Sequence, residues 1–76
     1  MEKAFILISC EIGKEQDLSL RLRSIDEIKG VLITFGEYDL VVEAETTSSD
    51  KMDELITSKI RKLDKIRSTI TLRVTI

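Results

Sequence analysis

The chain has 76 residues, of which 42% are hydrophobic and 34% are charged, so it is expected to fold as a single small domain spanning residues 1–76 and not to be disordered. Its 12 Lys and Arg residues against 14 Asp and Glu residues give a net charge of −2, and there is one Tyr, two Phe and no Trp. This composition argues against a nucleic-acid binder, which carries excess basic charge or a platform of aromatic side chains.

The absence of His and the single cysteine, Cys10, limit the available chemistry. An internal disulfide, an imidazole metal site and a nucleophilic triad are all excluded, and we predict no metal, no cofactor and no catalytic residues. A lone cysteine is typical of a reducing compartment, and we therefore expect a cytoplasmic protein. The longest apolar run, Ala4–Ile8, is too short to span a membrane, and no signal peptide is expected before it.

The first half of the chain alternates between strand and helix patterns. Residues 4–12 are apolar at neighbouring positions, which predicts a central strand covered on both faces, and Gly13 ends it. Residues 14–25 carry apolar side chains at helical spacing and predict an amphipathic helix. Residues 31–35 and 40–45 predict two strands of an antiparallel hairpin, joined by the turn 36–39.

The second half repeats the helix and strand patterns. Residues 46–50 are a cluster of helix-capping residues, and the helix expected behind them runs to about residue 62. Its first turns are acidic and its last turn is basic, which complements the helix dipole. Residues 66–76 alternate strictly between apolar and polar side chains and predict a final strand with Ile66 and Ile76 on the same face.

The order strand, helix, strand, strand, helix, strand predicts a ferredoxin-like α+β sandwich. Its four-stranded antiparallel sheet has the first and third strands at the centre and both helices on one face. We expect the opposite face to carry Phe5 or Ile6 together with Thr69 and Thr71. That face needs a cover, and a second copy of the same sheet is the simplest one.

Three groups of reactive or charged residues have simple structural interpretations. Cys10 lies within an apolar strand and is interpreted as a buried side chain. The basic residues between Lys59 and Arg67 are interpreted as a solvated helix end, since Asp64 interrupts them. Glu43 and Glu45 share one face of a strand, and we expect both side chains to face solvent.

The turn Gly36-Glu37-Tyr38-Asp39 is the strongest candidate for a binding site. It places the only Tyr of the chain and a carboxylate at the end of a hairpin. A tight turn alone would account for Gly36 and Asp39. The alternative is an amino-acid site, because a carboxylate accepts from an ammonium group, while loop amides and the hydroxyls of Thr69 and Thr71 donate to a carboxylate.

The segment 31–42, with this turn at its centre, closely resembles the effector-binding (RAM) domain of Lrp/AsnC-type transcription regulators. The closing residues 66–72, with their alternate Ser and Thr, resemble the last strand of that family, and the likeness extends along the whole chain. No helix-turn-helix domain precedes Met1, so the chain resembles a stand-alone form of the domain.

The resemblance implies a function and an assembly. Such domains dimerise sheet to sheet, with an arrangement like a dimeric α+β barrel, and the dimers form rings that are often octameric. Small effectors, usually amino acids, bind between dimers. Carried over by position, the implied ligand contacts are Gly36, Tyr38, Asp39, Thr69 and Thr71. The implied partners are further copies of the chain, an amino acid and full-length regulators of the family, without direct contact to nucleic acid or membrane.

Three functions therefore remain open. The first is an amino-acid-binding regulatory domain that forms oligomers and modulates Lrp/AsnC-type regulators without binding DNA itself. The second is an interaction module that assembles with full-length relatives and binds no ligand. The third is a small ferredoxin-like enzyme, which the lack of His and of an activated nucleophile disfavours.

Overall fold

The computed structural model describes residues 1–75, which form one four-stranded sheet and two helical segments. The elements are β1 (Glu2–Cys10), α1 (Glu15–Arg23), β2 (Ile28–Ile33), β3 (Leu40–Thr46), α2 (Ser49–Glu54) with a π-helical continuation (Leu55–Ile60), and β4 (Ile66–Val74). All strand pairs are antiparallel, and the strand order is β2-β3-β1-β4. The ferredoxin-like fold is confirmed, with the first and third strands at the centre as predicted.

One face of the sheet packs against the helices and forms the core. Alternate residues of β1, from Ala4 to Cys10, are buried because successive strand residues point to opposite faces. The core also contains Leu18 and Leu22 of α1, whereas Leu20 of the same helix is 70% exposed. We call this side of the sheet the helix face and the other side the open face.

The second helix begins as predicted but changes its pitch. The Ser48 hydroxyl accepts from the Lys51 amide at 3.2 Å, which caps its first turn. After Glu54 the helix widens, and the Arg61 amide donates to the Ile56 carbonyl five residues earlier at 3.0 Å. Leu55, Ile56 and Ile60 of this widened segment are all buried.

The strict alternation expected along the last strand is interrupted at its start. The register of β4 against β1 shifts at Arg67, because Ile66 pairs with Cys10 while Ser68 pairs with Ser9. Ile66 therefore packs against the core, whereas Ile70 lies on the open face. The prediction that these apolar residues share one face is wrong for Ile66, and Ile76 lies outside the described residues.

The register also corrects the expected positions of the two threonines. Thr69 pairs with Ile8 and Thr71 pairs with Ile6, and both isoleucines are fully buried on the helix face. Thr69 and Thr71 thus belong to the helix face, and the expectation that they lie on the opposite face is wrong. Alternation separates two sets of residues, but it does not say which set the helices cover.

The open face carries an apolar surface with a charged corner. A row of two serines, Ser9 and Ser68, lies at one end of this face, and three further rows run across the strands. Each row is given in the strand order β2, β3, β1, β4. The first row is Leu32, Val41, Leu7 and Ile70, and the second is Gly30, Glu43, Phe5 and Leu72. The third row has no β2 residue and consists of Glu45, Lys3 and Val74. Phe5 is on this face as expected, whereas Ile6 is in the core.

Candidate functional site

The turn between β2 and β3 is closed by hydrogen bonds at its base. The Thr34 amide donates to the Asp39 carbonyl at 2.9 Å, and the Thr34 hydroxyl donates to the Tyr38 carbonyl at 2.8 Å. Gly36 has a φ of +132°, a conformation that side-chain-bearing residues rarely adopt. Tyr38 and Asp39 are half-buried in this turn. These hydrogen bonds fix the conformation of the turn.

Asp39 connects this turn to the end of β1. Its carboxylate oxygen Oδ2 accepts from the Cys10 amide at 2.8 Å, and its own amide donates to the Ile8 carbonyl at 2.8 Å. One carboxylate oxygen of Asp39 therefore already has a hydrogen-bond partner within the chain. This partner, the Cys10 amide, lies where the register between β1 and β4 shifts. Burial raises the pKa of the Cys10 thiol, and the nearby carboxylate of Asp39 raises it further. Cys10 is buried as predicted and is suited to packing rather than nucleophilic attack.

Glu15 is a carboxylate near this site that the sequence analysis did not select. It is the first residue of α1, and its charge also raises the pKa of the Cys10 thiol. Within the described chain, its buried oxygen Oε1 has no hydrogen-bond partner. The residue of the sequence that could have pointed to Glu15 is Gly13, which turns the chain directly before α1 with a φ of +84°.

The two threonines of β4 lie in different surroundings. Thr69 is in the same row as Ile8, whose carbonyl binds the Asp39 amide, so it lies two strands from the turn, a separation of about 10 Å. The hydroxyl of Thr71 is buried, and among the described residues it has no hydrogen-bond partner. The structure therefore brings Gly36, Tyr38 and Asp39 together within one turn and places the threonines across β1 from it.

Thr71 lines a surface cavity between the second helix and β4, with a volume of about 290 Å³. The other residues of this cavity, here called the β4 groove, are Asp53, Ile56, Thr57, Arg61 and Arg73. Arg73 forms an ion pair with Asp53 and also donates to the Ser49 hydroxyl. The groove thus holds the Thr71 hydroxyl, the Arg61 guanidinium and the ion pair between Asp53 and Arg73.

Other kinds of site receive no support within the described part of the chain. Residues 1–75 contain no group of three His, Cys, Asp or Glu side chains that could hold a metal ion. No helix in this range has both the length and the apolar character needed to cross a membrane.

A comparison with known protein families matches nearly the whole chain. The family model of the Lrp/AsnC ligand binding domain matches residues 3–75. The chain belongs to this family. The family described by that model is a ligand-binding domain, and the resemblance stated from the turn and the last strand is confirmed.

The curated Lrp/AsnC relatives are transcriptional regulators rather than enzymes. The HTH-type transcriptional regulator FL11 of Pyrococcus abyssi is 36% identical over 53 residues, which cover 70% of this chain and 35% of FL11. Regulatory protein AsnC of Escherichia coli K12 is 32% identical over 71 residues, which cover 92% of this chain and 47% of AsnC. The chain spans less than half the length of these relatives.

A solved structure of similar size has the same fold. A hypothetical protein from Pyrococcus horikoshii, PHS023, superposes with a TM-score of 0.95 at 38% identity, and the match covers 100% of this chain and 92% of that one. The Lrp/AsnC ligand-binding domain fold is therefore present essentially complete in this chain.

Proposed function

We propose that this chain is a regulatory domain, formed by residues 1–76, that binds an amino acid and modulates the assembly of Lrp/AsnC-type regulators. The observation that carries the proposal is the buried, unsatisfied Thr71 hydroxyl in the β4 groove. A buried hydroxyl without a partner is costly, so a ligand that supplies the missing hydrogen bond gains affinity there. The groove volume of about 290 Å³ suits a molecule the size of an amino acid.

The turn supplies the second half of the proposed site. Asp39 keeps one carboxylate oxygen available for an ammonium group while the other binds the Cys10 amide. Tyr38 and Gly36 shape the turn beside it. Since the turn and the β4 groove belong to different parts of the sheet, we propose that the turn of one subunit meets Thr69 and Thr71 of another, with the effector between them.

The proposed assembly is a homodimer through the open face, with dimers joined into a larger even-numbered ring such as an octamer. Leu32 is 66% exposed and Leu72 is 51% exposed on that face, and burying such a surface favours association. Full-length regulators of the family carry the same kind of domain, so we also propose that they are partners. As a domain of transcriptional regulators, the chain is expected to act in the cytoplasm.

A screen of the twenty amino acids by thermal unfolding tests the binding proposal. A ligand at 100 times its dissociation constant stabilises the folded protein by about 2.7 kcal/mol, so a binder raises the melting temperature. The variant Thr71→Val keeps the shape of the side chain and removes the hydroxyl. It should lose most of the response to the amino acid that stabilises the natural chain.

The matched control is Thr47→Val, which removes an exposed hydroxyl outside the β4 groove. This variant should respond to the amino acid as the natural chain does. If no amino acid raises the melting temperature while the oligomer stays intact, the result would support the second function, an interaction module that binds no ligand. The exposed apolar side chains of the open face favour that alternative.

A further inference from the structure

The β4 groove carries more positive than negative charge. Its lining contains the guanidinium groups of Arg61 and Arg73 and one carboxylate, that of Asp53. Arg73 is already engaged, because it forms the ion pair with Asp53 and donates to the Ser49 hydroxyl at 3.1 Å. Arg61 forms no ion pair within residues 1–75. The groove therefore keeps one uncompensated positive charge, and this charge lies on Arg61.

The uncharged residues of the groove add one available donor. The Thr57 hydroxyl is already used, since it donates to the Asp53 carbonyl at 2.8 Å. The Thr71 hydroxyl is buried and has no partner among the described residues. The Arg61 guanidinium and the Thr71 hydroxyl are thus the two side-chain groups of the groove that remain without a partner in the described chain. Both can donate a hydrogen bond to an anion.

A carboxylate suits these two groups better than any other end of an amino-acid side chain. It accepts several hydrogen bonds, binds a guanidinium group with two charge-assisted bonds, and neutralises the remaining positive charge of the groove. An amide of the same shape leaves that charge unpaired. An aliphatic side chain also leaves the Thr71 hydroxyl without a partner, and a basic side chain adds a third positive charge.

The proposed site leaves the groove to the side chain of the effector. At the turn, Asp39 has a carboxylate oxygen for the ammonium group, and the amides of the turn can donate to the α-carboxylate. The two charged groups that all amino acids share are then bound by the turn of one subunit. The side chain, which differs between amino acids, reaches the β4 groove of the other subunit.

We infer that the effector is an amino acid with a second carboxylate, and that Arg61 selects it by binding this carboxylate beside the Thr71 hydroxyl. The inference rests on the proposed function and specifies the chemical class of its ligand. Selection arises because a carboxylate compensates the Arg61 charge when the groove loses its water, whereas the corresponding amide does not.

The affinities for glutamate and glutamine, measured by isothermal titration calorimetry, test the inference. These amino acids have nearly the same shape and differ in the charge at the end of the side chain. The natural chain should bind glutamate at least about tenfold more tightly than glutamine, since only glutamate forms a bond between two charged groups with Arg61. Aspartate and asparagine are the corresponding pair for a shorter side chain.

The variant Arg61→Gln removes the charge that discriminates between acid and amide. It should bind the acidic amino acid at least about tenfold more weakly than the natural chain and bind the amide about equally well. Arg61→Lys keeps the charge without the planar guanidinium group and should retain part of the preference. Arg61 is exposed, and circular dichroism verifies that both variants are folded.

The matched control is Lys62→Gln, which removes a positive charge from the next residue, an exposed one outside the groove. This variant should keep the natural preference for the acid over the amide. Acetate supplies a carboxylate without an ammonium group, so it should bind far more weakly than the acidic amino acid. Equal affinity for acetate would show a general anion site and would overturn the inference.

The remaining contrary results separate the inference from the proposed function. Equal affinities for acid and amide, or an Arg61→Gln variant that binds the acid as tightly as the natural chain, would overturn the role of Arg61. A neutral or basic amino acid as the effector, with its response lost in Thr71→Val, would overturn the acidic class and leave the proposed function standing. A natural chain that binds none of the twenty amino acids would overturn both.

Discussion

At the residue scale, Asp39 has both a structural and a proposed binding role. Its carboxylate oxygen Oδ2 accepts from the Cys10 amide, its own amide donates to Ile8, and its carbonyl accepts from Thr34. Two of these hydrogen bonds fix the turn onto β1, and the third closes the base of the turn. The charge of the carboxylate is not needed for these bonds, because an amide oxygen also accepts from an amide hydrogen.

Two substitutions of Asp39 separate these roles. Asp39→Asn keeps an acceptor for the Cys10 amide but removes the charge, so it should weaken binding of the amino acid by roughly 1.5–3 kcal/mol with the oligomer intact. Asp39→Ala leaves the Cys10 amide unsatisfied and should also lower the free energy of unfolding by about 1–3 kcal/mol. Calorimetry with the amino acid identified by the screen, urea unfolding and a sizing column measure the three quantities. Unchanged affinity in Asp39→Asn, or collapse of its assembly, would contradict the binding role.

At the element scale, α1 shows how an amphipathic helix divides between core and solvent. Leu18 is 1% exposed and Leu20 is 70% exposed, although both are leucines of the same helix. The polar side of α1 also protects the sheet, since the Arg23 guanidinium donates to the Val31 carbonyl of the edge strand β2 at 2.8 Å. Covering a backbone acceptor on an edge strand reduces its tendency to pair with other chains.

The two leucines of α1 are a matched pair for testing the core. Leu18→Ala removes fully buried methyl groups and leaves a cavity, so it should lower the free energy of unfolding by about 2–5 kcal/mol. Leu20→Ala changes an exposed side chain and should have an effect within about 0.5 kcal/mol. Urea denaturation at a fixed protein concentration compares the two variants. Equal losses of unfolding free energy in the two variants would mean that Leu18 and Leu20 are buried to the same extent, which contradicts the orientation of α1 in this structure.

At the scale of the whole molecule, the distribution of charge and of apolar surface favours contacts with other protein chains. The net charge is −2, and the basic residues at the end of the second helix are interrupted by Asp64. The first of these basic residues, Lys59, forms an ion pair with Glu27, the residue before β2, with 3.3 Å between Nζ and Oε1. The helices use their apolar sides to cover the sheet, and we expect neither of them to enter a DNA groove.

We expect no appreciable DNA binding by this chain. The dissociation constant should be no tighter than about 10⁻⁴ M at physiological salt, which is the weak limit of non-specific binding. A gel shift or fluorescence anisotropy titration with a duplex measures it. A complex at nanomolar protein in that salt would contradict the expectation and would direct attention to the basic residues from Arg61 to Arg67.

The sequence by itself determined the element order and most of the core, but β1 and β2 begin two and three residues earlier than predicted, and Ile12, predicted within β1, is 95% exposed. Hydrophobic periodicity identifies Leu18 and Met52 as buried because spacing along one element decides which side of it is apolar. The turn containing Gly36 and Asp39 was also readable, since glycine and carboxylate residues are local signals that do not depend on distant contacts.

Only the tertiary structure decided how the elements meet. Which face of β4 the helices cover depends on the register shift at Arg67, and no residue near it marks a shift, so Thr69 and Thr71 were expected on the wrong side. The β4 groove joins Asp53 to Thr71 across 18 residues of sequence. The contact between Lys3 and Glu43 likewise depends on strands that are far apart in the chain. Local patterns describe one element at a time, whereas a site or an interface depends on the register between elements.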